Sequence, residues 1–257
     1  MTSRGAPSDL IVLHEHPEWQ KPLFAALERR GVRFLPFDVS RAAFSNVEPL
    51  RARLYFNQAS PSAYLRGNTR AVPLALAYMR SLELLGGRVL NGADVFALDA
   101  IFKRDPANWL PDNLFLLQEY LPHDPDRGIV RLEFLGGELL YAMRVITHGR
   151  FNLCPSPVCN PDDGDGVCAV PEAVVDAPPV EFVPYPDVPP DAVETAARIV
   201  RAAKLDVGGI EYLETPTGRR VFYDINANSN LRPSVAAAFG FDPFERVVDF
   251  LVRELAR

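Results

Sequence analysis

Glu211, Asp224 and Asn226 have the residue types and the spacing of a divalent-cation site. They lie in VGGIEYLETPTGRRVFYDINANSNL, residues 207–231, where two apolar-alternating runs flank a TPTG turn. With Thr217 and Gly218 as a two-residue hairpin loop, counting outward sets Pro216 opposite Arg219, Leu213 opposite Phe222 and Glu211 opposite Asp224. Like charges directly opposite one another on a sheet repel, so this pair calls for a cation or a proton between the carboxylates. Asn226, two residues past Asp224, points to the same face and adds a neutral oxygen. Carboxylate and amide oxygens suit a hard ion such as Mg²⁺ holding a nucleotide's phosphates. The competing reading is a solvated hairpin face on which one bulge moves the acids apart.

A second hairpin, IVRLEFL and ELLYAMRVI about Gly136-Gly137, carries two arginines. Pairing Leu135 with Glu138 sets Arg131 opposite Ala142 and makes Arg131 and Arg144 diagonal neighbours on one face. Two guanidinium groups aimed together suit a phosphate or a carboxylate. Glu133 falls on the same face, so an ordinary salt-bridged surface competes with that reading. Cys154, Cys159 and Cys168, with His148 upstream, lack the spacing of a compact zinc knuckle and are expected to be free thiols. His14 and His16 follow the first strand, where an α/β sheet tends to place its ligand crevice, although turn contacts explain such a pair equally well. His123, between Pro122 and Asp124, reads as turn chemistry.

The elements that must position these residues fall into two textures. DLIVL (9–13) has a buried-strand pattern, and Pro22 through Arg30 has the spacing of a helix with Leu23, Phe24 and Leu27 inward, closed by Gly31. VRFLPF resumes as a strand, which completes a βαβ unit and implies a parallel sheet. ARLYFN (52–57) is another strand, a helix runs from about Thr69 to Leu85, and RVLNG with DVFALDAIFK supplies a further strand and helix start. From Leu114 the texture becomes antiparallel: LFLLQEYL, then the Gly-Gly hairpin. Residues 155–190 are rich in Pro, Asp and Val without a period and read as a long excursion. Asp191 is expected to cap a helix to Lys204, and FDPFERVVDFLVREL closes the chain as an amphipathic helix.

The chain has 257 residues, 48% of them hydrophobic, which is enough for a sizeable core in one large or two modest domains. A formal charge of -6, with no basic run, argues against a nucleic-acid or anionic-membrane partner. The N-terminus lacks a signal pattern and no apolar run reaches membrane-spanning length, so the expected location is cytoplasmic. GxxxxGK[ST], GxGxxG, GxSxG and HExxH are all absent.

Taken together, LLQEYLP (116–122), IVRLEFLGGELLYAMRV, FNLCP, VGGIEYLE, FYDINANSN and GFDPFERVVDFL resemble the ATP-grasp superfamily. The resemblance is to its branch of ribosomal-protein glutamate ligases and glutathione synthetases, and it covers most of the C-terminal half. It implies an α/β fold, α+β in the C-terminal half. An N-terminal βαβ substrate domain (1–100) would precede an antiparallel-sheet ATP-grasp domain (101–257). It further implies that Gln118, Glu119, Tyr120 and Leu121 form the hinge that reads adenine, and that Phe222 and Lys103 belong to the nucleotide site. Arg131, Arg144 and Asn152 would approach phosphates or substrate, while Glu211, Asp224 and Asn226 would hold Mg²⁺. The implied activity is an ATP- and Mg²⁺-dependent ligase joining a small-molecule or peptide carboxylate to an amine or thiol through an acyl phosphate, with a homo-oligomer left open. One departure stands out. Only RDPANWLPDN separates Lys103 from Leu114, which leaves no room for the family's lysine-bearing lid, and the chain's other lysines are just Lys21 and Lys204. The alternative is therefore a degenerate ATP-grasp protein that binds a nucleotide or a protein partner without catalysis.

Overall fold

The stretch SDLIVLH is apolar at four consecutive positions, and the fold buries both faces of the strand it forms. A computed structural model describes residues 8–44, 50–102, 121–147, 180–229 and 231–257 of the chain. Strand β1 (Ser8–His14) lies between β2 (Phe34–Asp38) and β3 (Ala52–Asn57), with β4 (Val89–Leu90) outside β3, all parallel in the order β2-β1-β3-β4. Ile11, Leu13 and Tyr55 face α2 (Ala71–Leu84) and α3 (Ala93–Phe102), meeting Tyr78, Met79, Leu82 and Phe96. Leu10, Val12, Leu54 and Phe56 face the other way, against α1 (Pro17–Arg29) and the closing helix α6 (Pro243–Leu255). Helix α1 begins five residues before the expected start at Pro22. Pro22 sits early enough in the helix that its missing N–H forfeits one bond near the exposed end.

The second sheet is antiparallel, with β7 (Glu181–Pro184), β6 (Glu138–Ile146), β5 (Ile129–Leu135), β8 (Val207–Glu214) and β9 (Arg220–Asn226) in that order. Strand β7 falls near the end of the stretch 155–190, expected to be a long excursion. It is a short edge strand, where Pro184 needs no ladder partner. One face of the sheet, with Val130, Leu132, Phe134, Ile210 and Tyr212, packs on α4 (Pro190–Ala202) through Ala192, Ala196 and Val200. Asp191 is not the cap of α4: Pro189 occupies that position, and the Asp191 carboxylate accepts from Arg220 at 2.7 Å. On the opposite face Ile129, Tyr141, Met143 and Val145 pack with Val235 and Ala236 of the short helix α5 (Pro233–Ala236). Phe182 and Leu213 join that cluster, and beside it Arg131, Glu133, Glu211, Asp224 and Asn226 form a polar patch.

The two halves share a core. Val247, Val248, Phe250 and Leu251 of α6 pack with β1 and β3, together with Val207 from the start of β8. Asn91, just past β4, is fully buried and bonded four times across the junction: its Nδ2 donates to the carbonyls of Val207 (2.6 Å) and Ala227 (2.7 Å). Its Oδ1 accepts from the N–H groups of Asp206 (3.0 Å) and Val207 (3.1 Å). α6 and Asn91 thus join residues from both sides of the boundary expected at residue 100.

Candidate functional site

Two backbone irregularities decide which side chains meet on the polar face. In the β8–β9 hairpin the loop is longer than the two residues expected: Thr215 N–H bonds the Arg219 carbonyl at 2.9 Å and Gly218 adopts a φ of 81°. Leu213 therefore pairs with Val221, not Phe222. A bulge at Tyr223 then restores the offset, so that Glu211 does lie opposite Asp224 and Gly209 opposite Asn226. Tyr223, which simple alternation would send to the other face, turns its hydroxyl to Glu211 and donates to Oε2 at 3.0 Å. Sequence reasoning missed Tyr223.

In the β5–β6 hairpin a register shift after Glu133 is not compensated. Arg131 pairs with Met143 and Val130 with Arg144, so the two arginines point to opposite faces and are not diagonal neighbours. Arg144 lies on the α4 side, where it stacks on Tyr185 (4.2 Å), donates to the Arg127 carbonyl (3.1 Å) and approaches Glu214 (3.6 Å). This is the ordinary salt-bridged arrangement. Phe222 is on that side as well, 5.1 Å from the Tyr212 ring and packed into the core, away from the acids.

Arg131 stays on the polar face. Its Nε donates to Glu133 Oε1 at 2.5 Å and its Nη1 to Glu211 Oε1 at 2.8 Å, while Nη2 is buried without a partner. Gly209 makes this possible, because a Cβ there would stand 2.6 Å from Arg131 Nη2. Glu133, wholly buried, takes its second bond from Ser229 Oγ at 2.5 Å. Burial opposes the charge on Arg131, but Glu133 and Glu211 outweigh it and hold the guanidinium protonated. Burial is also the main influence on Glu211 and pushes its carboxyl above the usual range; Asp224 adds to the push and Arg131 works against it.

The amide of Asn226 occupies the gap between the acids. Its Nδ2 donates to Asp224 Oδ2 at 2.6 Å and lies 3.5 Å from Glu211 Oε1, so a neutral N–H group sits where two carboxylates converge. Asp224 is half-buried and Glu211 is 8% exposed. The three expected ligand residues thus come together, with the Asn226 N–H and not its oxygen between the two acids. Among the described residues no group of three or more His, Cys, Asp or Glu side chains is placed to hold a metal ion.

Arg232 is a further residue that spacing did not reveal. It lies 4.0 Å over the Phe182 ring, its backbone N–H donates to Tyr141 Oη at 2.9 Å, and its Nε is buried without a partner. Burial and the nearby Arg131 lower its pKa. Leu121 is half-buried, ahead of β5. Lys103, Gln118, Glu119, Tyr120, Asn152, His148 and the three cysteines lie outside the described residues. Lys21 pairs with Glu18 on α1, and Lys204 follows the end of α4 in the left-handed region. Among the described residues no helix is long and apolar enough to cross a membrane.

No protein-family model and no curated protein matches the chain. Solved structures do. The ATP-grasp ligase PsnB, complexed with a phosphomimetic variant of its minimal precursor, Mg and ADP, aligns over 98% of this chain and 100% of its own with a TM-score of 0.62 at 12% identity. A RimK-domain ATP-grasp protein from Sphaerobacter thermophilus aligns over 95% and 99% with a TM-score of 0.61 at 16% identity. The macrocyclase MdnC from Microcystis aeruginosa, bound with precursor peptide MdnA, aligns over 95% and 99% with a TM-score of 0.57 at 12% identity. At such identities the likeness is one of architecture: the chain has the mixed parallel and antiparallel α/β fold of the ATP-grasp ligases.

Proposed function

We propose that the protein is an ATP- and Mg²⁺-dependent ligase that joins a carboxylate to an amine or thiol. The observation that carries this reading is the convergence of Glu211, Asp224 and Asn226 on the polar face of a sheet with this fold. Fold alone is an analogy, and the site supplies the chemistry. Glu211, Asp224 and the amide oxygen of Asn226, after the amide turns over, would hold the ion. Bound there, Mg²⁺ would neutralise the phosphate charge that develops during phosphoryl transfer. In the reaction the substrate carboxylate takes the terminal phosphoryl group of ATP and ADP leaves. The amine then attacks the acyl carbon, loses its proton, and phosphate departs. Arg131 fixes the rotamer of Glu211, and Tyr223 holds the other oxygen. Lys103, Gln118, Glu119, Tyr120, Leu121 and Asn152 are assigned to the nucleotide and phosphates. PsnB, MdnC and a third neighbour, a Chryseobacterium gregarium ligase, are complexed with precursor, leader or core peptides, which favours a peptide carboxylate as substrate here.

The scarcity of lysines supports a second reading, a nucleotide-binding protein without turnover. Lys21 and Lys204 are placed elsewhere, and only ten residues separate Lys103 from Leu114. Losing a lid lysine and its loop's donors removes charge-assisted hydrogen bonds worth about 1.5–3 kcal/mol each, which turns micromolar ATP binding into millimolar. Calorimetric titration with ATP, with and without Mg²⁺, on wild type and Asp224→Asn separates the cases. The ligase reading expects Mg²⁺-dependent binding that Asp224→Asn abolishes, together with ADP release when a peptide carboxylate and an amine are added. Binding without ADP release supports the second reading, and ATP binding indifferent to Mg²⁺ and to Asp224 refutes the metal assignment.

A further inference from the structure

Two arginines lie on the face of the second sheet that carries the acid pair, and acids match only one of them. Arg131 is held by Glu133 and Glu211. Among the described residues Arg232 has no carboxylate within ion-pair distance and no side-chain hydrogen bond, although it is half-buried. Glu133 is nearby but committed, since its oxygens are taken by Arg131 and Ser229. Burial and the charge on Arg131 both work against the charge on Arg232. What touches its guanidinium is the Phe182 ring at 4.0 Å. An aromatic face attracts a cation, but it does not satisfy five N–H donors as oxygens would.

The backbone fixes where this side chain stands. Arg232 N–H donates to Tyr141 Oη at 2.9 Å, and Pro233 follows at once as the first residue of α5, whose Val235 and Ala236 are buried in the same apolar cluster as Tyr141. Glu133, Glu211 and Asp224 set three negative charges on this face against the one positive charge of Arg131. A divalent ion at the acid pair cancels the difference, and of these five side chains Arg232 is then the unmatched one. A buried charge without a counter-ion is costly, so the position calls for an anion.

Its distance from the acid pair selects the class of anion. Tyr141 and Phe182 belong to β6 and β7, whereas Glu211 and Asp224 belong to β8 and β9, with β5 between the two sets. Neighbouring strands are about 4.8 Å apart, which puts Arg232 on the order of 10–14 Å from the acids. Phosphate oxygens that share an ion with the acids are held about 2.1 Å from it and fall short of Arg232. An extended peptide covers the same distance in about three or four residues.

We propose that Arg232 is a specificity residue that binds a second, non-reacting carboxylate of an acidic peptide lying along this face. A single guanidinium beside an already committed Glu133 matches one negative charge, and Phe182 holds it in plane for a two-pronged contact through Nε and one Nη. That the peptide's other carboxylate is phosphorylated at the acid pair rests on the ligase reading; recognition by Arg232 does not.

The test is an NMR titration of the full chain, with and without Mg²⁺ and ATP, following the backbone amides of Tyr141 and Phe182. The probes are the blocked peptides Glu-Ala-Ala-Glu and Gln-Ala-Ala-Gln and inorganic phosphate. The acidic peptide should shift both amides saturably at millimolar concentrations, and the other two probes should not. Arg232→Met keeps an unbranched stem over Phe182 without the charge; it should weaken peptide binding at least about tenfold, with Arg232→Lys intermediate and Mg²⁺·ATP binding unchanged in both. Its urea midpoint should hold or rise, because an unmatched buried cation has been removed. Peptide binding that survives Arg232→Met, equal shifts from the glutamine peptide, tighter binding of phosphate, or no saturable shift would overturn the proposal. So would a lowered urea midpoint with peptide binding intact, which marks a purely structural arginine. Peptide binding that depends on Arg232 in a chain that binds no Mg²⁺·ATP would uphold the proposal and sink the ligase reading alone.

Discussion

Arg131 and Asn226 compete for one oxygen of Glu211 while Tyr223 holds the other. These donors only partly offset burial, which leaves Glu211 with a raised affinity for protons. In the ion-free protein a raised carboxyl contributes stability that is present below the ordinary carboxylate pKa and is lost as pH rises through the raised value. Mg²⁺ binds the ionised form, so its stabilising effect must run the other way. The increase in melting temperature on adding Mg²⁺ should be smallest near about pH 5 and should grow toward about pH 8. A pH-independent increase would show that the ion does not displace a proton from Glu211. Tyr223→Phe removes the donor on Oε2, leaving that oxygen unpaired, and should cost about 1 kcal/mol in urea unfolding. It should also move the Mg²⁺-dependent rise to higher pH, since the carboxylate loses a hydrogen bond that favours its charged form.

At the scale of elements, single inserted residues separate what the sequence made legible from what it did not. The Glu211–Asp224 pairing follows from counting about a two-residue loop. In the molecule it results from a longer loop and a bulge at Tyr223 whose offsets cancel. In β5–β6 one bulge stands alone and sends Arg144 to the other face. Each bulge coincides with a doubled run of large apolar side chains, Phe222-Tyr223 and Leu139-Leu140, which alternation cannot accommodate on one face. That doubling is the signal by which they could have been found, whereas the strands themselves, with strict periods and glycine turns, were readable. Arg144→Lys should accordingly leave Mg²⁺ and nucleotide binding unchanged and shift stability by about 1 kcal/mol or less in urea unfolding. Gly209→Ala should do the reverse. Arg131, pinned by two carboxylates, cannot yield to a Cβ at 2.6 Å, so a loss of about 1–3 kcal/mol and impaired Mg²⁺ binding are expected.

Over the whole molecule, the closing helix and one buried amide are what keep the acidic site beside the parallel sheet. The amphipathic pattern of α6 was plain in the sequence, but its partner was not, because a hydrophobic stripe does not name the surface that will cover it. Nothing in the spacing marked Asn91 either, since an Asn followed by Gly reads as a turn. Asn91 holds a φ of 51°, a conformation that asparagine tolerates better than alanine. Replacing it by Ala would strand two N–H groups and two carbonyls at the junction of β4, β8 and the exit of β9, at roughly 1 kcal/mol for each lost bond, and would add the cost of the left-handed backbone. Asn91→Ala should therefore lower unfolding stability by about 4 kcal/mol, and Asn91→Asp, which sets a buried carboxylate oxygen against the Val207 and Ala227 carbonyls, by at least as much. Unfolding should nevertheless remain a single transition, with far-UV circular dichroism and hydrogen exchange in β1 and β8 coinciding, because α6 still packs against the first sheet. Two separated transitions in Asn91→Ala would show instead that this one side chain, and not the apolar contact of α6, couples the halves.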